Sequence, residues 1–194
     1  MQRIGLVGGT FDPVHNGHLL LALFARETIP LDEIIFIPAA DPPHKDGTRA
    51  SATARLAMVE YAIEGLDHFS ASRIELDRPG KSYTVETLRQ LHAQRSEGDF
   101  YLIIGADNVA QMSTWHDPEG ILDLCTVVAG TRLAAEAHVD PALASRMRFI
   151  DTPLIELSST QIRQRLHDSL PVRAMVPEKV ERYIHEKGLY TPCI

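Results

Sequence analysis

Residues 4–27 read IGLVGGTFDPVHNGHLLLALFARE, and the fold turns on that stretch. Residues 4–7 form a short apolar run that stops at Gly8 and Gly9, a proline-containing loop follows, and from residue 17 onward Leu19, Leu20, Leu23 and Phe24 recur at helical spacing. The order is strand, loop, helix. Two glycines let backbone approach a ligand closely, and a helix opening at Gly17 and His18 offers free N–H groups and a dipole that favour an anion. The loop fits neither GxGxxG nor GxxxxGK(S/T), which removes most support for a plain dinucleotide oxidoreductase or a P-loop NTPase.

The alternation continues outward from there. Patterning predicts further strands at 33–37, 69–76, 100–104 and 125–129, with 146–150 as a candidate last strand. Helices are predicted at 52–64, 84–94, 159–167 and 177–187, and a polar, proline-rich loop at 38–51. Residues 133–145 read either as a helix or as a loop insertion. Strands alternating with helices predict a doubly wound α/β fold, with a mostly parallel sheet, helices on both faces and two C-terminal helices. A length of 194 residues suits one domain over 1–194, its C-terminal helical part starting near 158.

Composition narrows the function. Hydrophobic residues make up 44% and charged residues 23%, which excludes a disordered chain or a fibrous rod. Lys and Arg total 19 against 26 Asp and Glu, and the net charge of −7 argues against holding nucleic acid by neutralising its phosphates. No apolar run approaches the length of a membrane span. The two cysteines, Cys125 and Cys193, make no disulfide framework. The expectation is a soluble, cytoplasmic protein, with homo-oligomerisation left open.

Several polar groups gather at loops that follow strands, the edge where open parallel sheets bind ligands. His15 and His18 lie three residues apart across a helix start, so both imidazoles can face one point above the glycines and donate to phosphate oxygens. Helix capping and zinc are the alternatives, and a third metal ligand is missing nearby. Lys45 ends the loop Pro38-Ala39-Ala40-Asp41-Pro42-Pro43-His44-Lys45 as a compact charge on a flexible stem, or as part of a solvated turn. In the run Ser82-Tyr83-Thr84, Ser82 or Thr84 could cap the helix that follows. Asp107, after Gly105, could accept ribose hydroxyls or cap a helix. Trp115, the single tryptophan, is core or a stacking platform. Ser159, Thr160 and Arg163 stand at a helix start where an anion would be welcome, although capping explains most of the pattern.

The string GGTFDPVHNGH resembles the signature of the nucleotidyltransferase superfamily, whose HxGH element grips a nucleoside triphosphate in a Rossmann-like fold. PPHK at 42–45, SYTVETL at 82–88, GAD at 105–107 with Trp115 downstream, and SSTQIR at 158–163 look like further elements, in family order, of bacterial nicotinate mononucleotide adenylyltransferases. The resemblance implies ATP held by Gly8, Gly9, Thr10, Phe11, His15, His18, Gly105, Asp107, Ser159, Thr160 and Arg163. It implies a pyridine mononucleotide held by Thr10, Lys45, Tyr83, Thr84, Asp107 and Trp115. His15, His18, Lys45 and Arg163 would carry the chemistry, with Mg²⁺ carried on the ATP phosphates rather than in a protein cage. The implied reaction joins nicotinate mononucleotide to ATP, giving nicotinate adenine dinucleotide and pyrophosphate in NAD biosynthesis.

Pantetheine-phosphate adenylyltransferases and cytidylyltransferases share both phosphate signatures, but PPHK, SYTVETL and Trp115 argue against them. A nucleotide-binding module without activity is the rival from another class. The chain departs from the family pattern after the fifth predicted strand, where Ala129-Gly130-Thr131-Arg132 replaces an Arg followed directly by Pro or Gly. No role is therefore carried over to Arg132.

Overall fold

The chain builds strands β1 (Gln2–Gly9), β2 (Glu33–Pro38), β3 (Phe69–Ala71), β4 (Gly98–Ile104), β5 (Thr126–Gly130) and β6 (Met147–Ile150). Between and after them lie helices α1 (Asn16–Thr28), α2 (Ala52–Ile63), α3 (Thr84–Gln94), α4 (Ala106–Gln111), α5 (Pro118–Leu124), α6 (Pro141–Ala144), α7 (Ser159–His167) and α8 (Glu178–Glu186). These come from a computed structural model that describes residues 1–42, 48–130 and 140–191.

All neighbouring strands are parallel, in the order β3-β2-β1-β4-β5-β6. The sheet therefore grows outward in one direction from β1 and in the other from β4. Between them lies the switch point, where a crevice opens at the carboxyl edge of the strands. The predicted doubly wound fold is the one observed.

Both faces of the sheet are covered, so consecutive strand residues are buried on opposite sides. Ile34 and Phe36 pack with Ala22 and Ala25 of α1, Val59 of α2, Ile162 of α7, and Val180 and Ile184 of α8. Ile35 and Ile37 pack with Val85 and Leu88 of α3 and Ile121 of α5. The C-terminal helices thus share one core with the first helix, which brings residues near 160 against the loop after β1.

Three readings of the sequence change. The strand expected over 69–76 ends at Ala71, because the backbone turns: Ser72 still donates to Phe36 O, after which Asp77 N–H bonds back to Arg73 O. That turn points Glu75 inward. The short helices α4 and α5 and the 3₁₀ turn Met112–Thr114 were invisible to periodicity, because each spans two turns or fewer. Of the ambiguous segment 133–145, residues Pro141–Ala144 form a helical turn capped by Asp140, and 131–139, with Arg132, lie outside the described residues.

Candidate active site

A cavity of about 310 Å³ opens at the switch point. From β1 and its loop it is lined by Gly8, Gly9, Thr10 and Phe11, from α1 by His18, and from α7 by Ser159. The start of α3 and the segment after α4 add Tyr83, Thr84, Trp115 and His116.

His15 is the N-cap residue of α1, and His18 lies one turn into the helix. Their rings stack at 3.7 Å between centroids, 25° apart, and His15 N–H donates to His18 Nδ1 at 3.2 Å. The bond fixes the His18 tautomer: Nδ1 accepts, so Nε2 carries the proton and can donate. Phe11, in a left-handed conformation, sets its ring edge-on to His18 at 5.0 Å. Gly17 suits this packing, since a Cβ there would stand 3.1 Å from His15 Nδ1, a tight contact that the ring would have to yield to. The pair is therefore brought together as the spacing predicts, but its members differ. His18 faces the cavity, while His15 is 6% exposed behind it, its Nδ1 buried with no hydrogen-bond partner among the described residues. Burial pushes the His15 pKa down to about 4, so at neutral pH it is an uncharged imidazole.

The loop itself is held from behind. Asp12 is 4% exposed and accepts from Arg49 N–H, Ala50 N–H and the Tyr190 hydroxyl. Arg55 is fully buried and donates to the carbonyls of Ala50, Thr10 and Ala40. One guanidinium thereby ties the loop after β1 to the loop after β2, which is the planar, multi-donor task Arg suits better than Lys. Neither residue was singled out from the sequence. Asp12 lies inside the quoted signature and Arg55 inside a mostly apolar helix pattern, where its charge is the only available signal.

Helix α7 closes over the same loop. Ser158 and Gln161 form its capping box, so Ser159 and Thr160 are released from capping. Ser159 Oγ donates to Pro13 O at 2.8 Å, and Arg163 donates to Asp12 O at 2.8 Å and to Thr160 Oγ1 at 3.1 Å. Ser159 reaches the cavity wall, whereas Thr160 and Arg163 stand behind it, engaged with the loop.

Neither Ser82 nor Thr84 caps α3. Tyr83 occupies the N-cap position, and Ser82 Oγ instead accepts from Ala40 N–H at 2.9 Å. Tyr83 packs on His116, with 4.4 Å between ring centroids. Trp115, half-buried, is both core-packed and cavity-lining, so the two readings of it hold together. Gly105 rather than Asp107 caps α4. Asp107 sits in the first turn, exposed and off the cavity wall, while Asn108 next to it lines the cavity. His116, Asn108 and Glu75 line it as well and were not anticipated. Lys45 lies outside the described residues, three positions beyond Pro42 on the cavity wall. Among the described residues, no group of three or more His, Cys, Asp or Glu is placed to hold a metal ion, and no helix is long and apolar enough to cross a membrane. Cys125 is half-buried, and desolvation pushes its thiol pKa up to about 12.

Comparison with known proteins adds the following. Residues 6–165 match the family described as cytidylyltransferase-like. A Bacillus pumilus protein named "Probable nicotinate-nucleotide adenylyltransferase" is 44% identical over 98% of this chain and 99% of its own length. An Exiguobacterium sibiricum protein of the same name is 42% identical, over 97% and 99%. Among solved structures, the Plasmodium falciparum nicotinic acid mononucleotide adenylyltransferase complexed with NaAD superposes with a TM-score of 0.81 at 16% identity, covering 98% of both chains. That likeness, at such low identity, speaks for the shared fold.

Proposed function

Because the chain belongs to the cytidylyltransferase-like family and within it to the nicotinate-nucleotide adenylyltransferases, we propose a division of labour among its residues for the reaction that family performs. The enzyme joins nicotinate mononucleotide and ATP to give nicotinate adenine dinucleotide and pyrophosphate, a step of NAD biosynthesis.

The mononucleotide 5′-phosphate oxygen attacks the α-phosphorus of ATP in line. A new P–O bond forms as the bond to the β-phosphate oxygen breaks, and pyrophosphate leaves with that electron pair. Such transfers depend on positioning and charge stabilisation more than on covalent catalysis. His18 presents its Nε2–H to the phosphate oxygens, and stacked, neutral His15 holds that ring in place. Gly8, Gly9, Thr10 and Phe11 form the bed for the triphosphate, with Gly105 and Asp107 on the adenosine side. Ser159, Thr160 and Arg163 exchange their loop contacts for phosphate oxygens as ATP enters. Tyr83, Thr84 and Trp115 hold the pyridine ring, and Lys45 follows the phosphates from the loop beyond Pro42. Magnesium, carried in on the ATP phosphates, would neutralise charge on the departing pyrophosphate. The cytoplasm, where ATP and mononucleotides are available, is the compartment this reading assigns.

The observation that carries the reading is the stacked His15–His18 pair beside the α7 N-terminus, both at the switch-point cavity. A pyrophosphate-release assay with Mg-ATP and, in parallel, nicotinate mononucleotide, nicotinamide mononucleotide or phosphopantetheine tests it. Turnover with the nicotinate compound is expected. Turnover with phosphopantetheine alone would overturn the substrate assignment, and silence with all three would return the chain to a binding module.

A further inference from the structure

Glu75 is a carboxyl group that the adenylyl transfer does not use, yet it lines the cavity at 8% exposure. Its surroundings are built for an acceptor. Thr87 Oγ1 lies 2.6 Å from Glu75 Oε1 and 3.3 Å from Tyr83 O, so its single proton goes to the carboxylate. Arg78 Nη2 donates to the same Thr87 oxygen at 3.0 Å, which commits the proton further. Ser82 Oγ already accepts two N–H groups, from Ala40 at 2.9 Å and Asp41 at 3.4 Å. Both of its lone pairs are taken, which leaves its hydroxyl proton to be donated, and Glu75 is the carboxyl group with which it interacts; burial raises the Glu75 pKa, and the hydrogen bonds from Thr87 and Ser82 oppose that rise. Ser82 N–H in turn donates to Asp41 O at 3.0 Å. The loop after β2 and the segment before α3 are therefore stitched together through Ser82, with Glu75 beneath the stitch.

We propose that Glu75 is a positioning residue for the pyridine mononucleotide: its carboxylate accepts from Ser82 and Thr87 and so holds the 39–42 turn and the Tyr83–Thr84 peptide at the separation that admits the nucleotide. The inference rests on the substrate assignment above and extends it to a residue that touches neither reacting phosphate. Both hydroxyls use the carboxyl group as an acceptor. A carboxamide that turns its NH₂ group to Ser82 meets an oxygen that already accepts twice and has no lone pair left for it. A shortened carboxylate keeps the acceptors.

The test compares Glu75→Gln, Glu75→Asp and Ser82→Ala with wild type by steady-state kinetics in each substrate and by thermal midpoint. Glu75→Gln is expected to raise KM for nicotinate mononucleotide about tenfold, the effect of losing one hydrogen bond to a buried charge, while KM for ATP stays within about twofold. Ser82→Ala should show the same split, Glu75→Asp should recover most of it, and the double variant should be no worse than Glu75→Gln. An unchanged mononucleotide KM in both single variants overturns the proposal. So does a rise in both KM values that tracks a lower midpoint, since that marks a structural role alone; if Glu75→Gln does not fold, Ser82→Ala decides by the same criterion. Wild-type silence with nicotinate mononucleotide would instead overturn the substrate assignment, and this inference with it.

Discussion

The Tyr190 hydroxyl donates a 2.7 Å hydrogen bond to Asp12 Oδ1, joining the last described turn of the chain to the signature loop. Tyr190 adopts a left-handed conformation to make it, and burial beside the Asp12 charge holds the phenol pKa above its usual value, so the group is a proton donor at every working pH. Asp12 keeps two backbone donors besides, and its own carbonyl receives Arg163. The first loop is thus fixed by residues far from it in sequence.

Tyr190→Phe should therefore lower stability by about 1–2 kcal/mol, the range for a hydrogen bond to a charged group. It should also weaken ATP use, because Asp12 supports the loop proposed to receive the triphosphate. Urea unfolding and kcat/KM for ATP measure the two effects. An unaltered unfolding midpoint would show that the bond contributes nothing.

His18→Ala should reduce kcat about a hundredfold or more, the usual cost of removing a donor aimed at developing charge. His15→Ala should lower it less, since His15 acts through the ring it supports. Near-normal turnover of His18→Ala would remove that residue from its role.

Stability should fall on acidification partly through His15. The folded state keeps it neutral down to about 4, whereas the unfolded chain protonates it near 6.5. Between those values the unfolded state binds the extra proton, so stability declines as pH drops from 6.5 and levels off below 4, losing about 3 kcal/mol in all from this group. Denaturant midpoints followed from about pH 7.5 downward, in wild type and His15→Asn, check the sign: the variant should lose less.

Arg163→Lys should not substitute for the native residue. One guanidinium reaches both Asp12 O and Thr160 Oγ1, a fork that an ammonium cannot reproduce. A several-fold higher KM for ATP is expected, and a lysine variant with native ATP kinetics would show that charge alone suffices.

Trp115→Ala should raise KM for the mononucleotide several-fold through lost ring stacking of about 1 kcal/mol, leaving KM for ATP unaffected. Because Trp115 also packs against the core, the thermal midpoint should be measured alongside. Equal rises in both KM values would assign the residue to packing.

Local pattern was enough for the alternation of strands and helices that builds the sheet. Apolar strand runs at 4–7, 33–37 and 100–104 are buried on both faces and so stand out as continuous stretches. The signature GGTFDPVHNGH placed the histidines at a helix start because strand, loop and helix meet within a few residues. Pairings across the fold left no such trace. Nothing near Glu75 announced that the third strand would end at Ala71 and turn it into the cavity, and nothing near Tyr190 pointed to Asp12. Arg55 reads as a surface charge in a mostly apolar helix until three carbonyls from two loops converge on it. Hydrophobic periodicity records which side of an element is buried, so the sequence by itself determined the layers and the carboxyl edge of the sheet, where open parallel sheets bind ligands. Which polar groups meet there depends on long-range closure of the chain, and only the tertiary structure decided that His18 faces the cavity, that His15 stands neutral behind it, and that Asp12, Arg55 and Glu75 hold the loops around them.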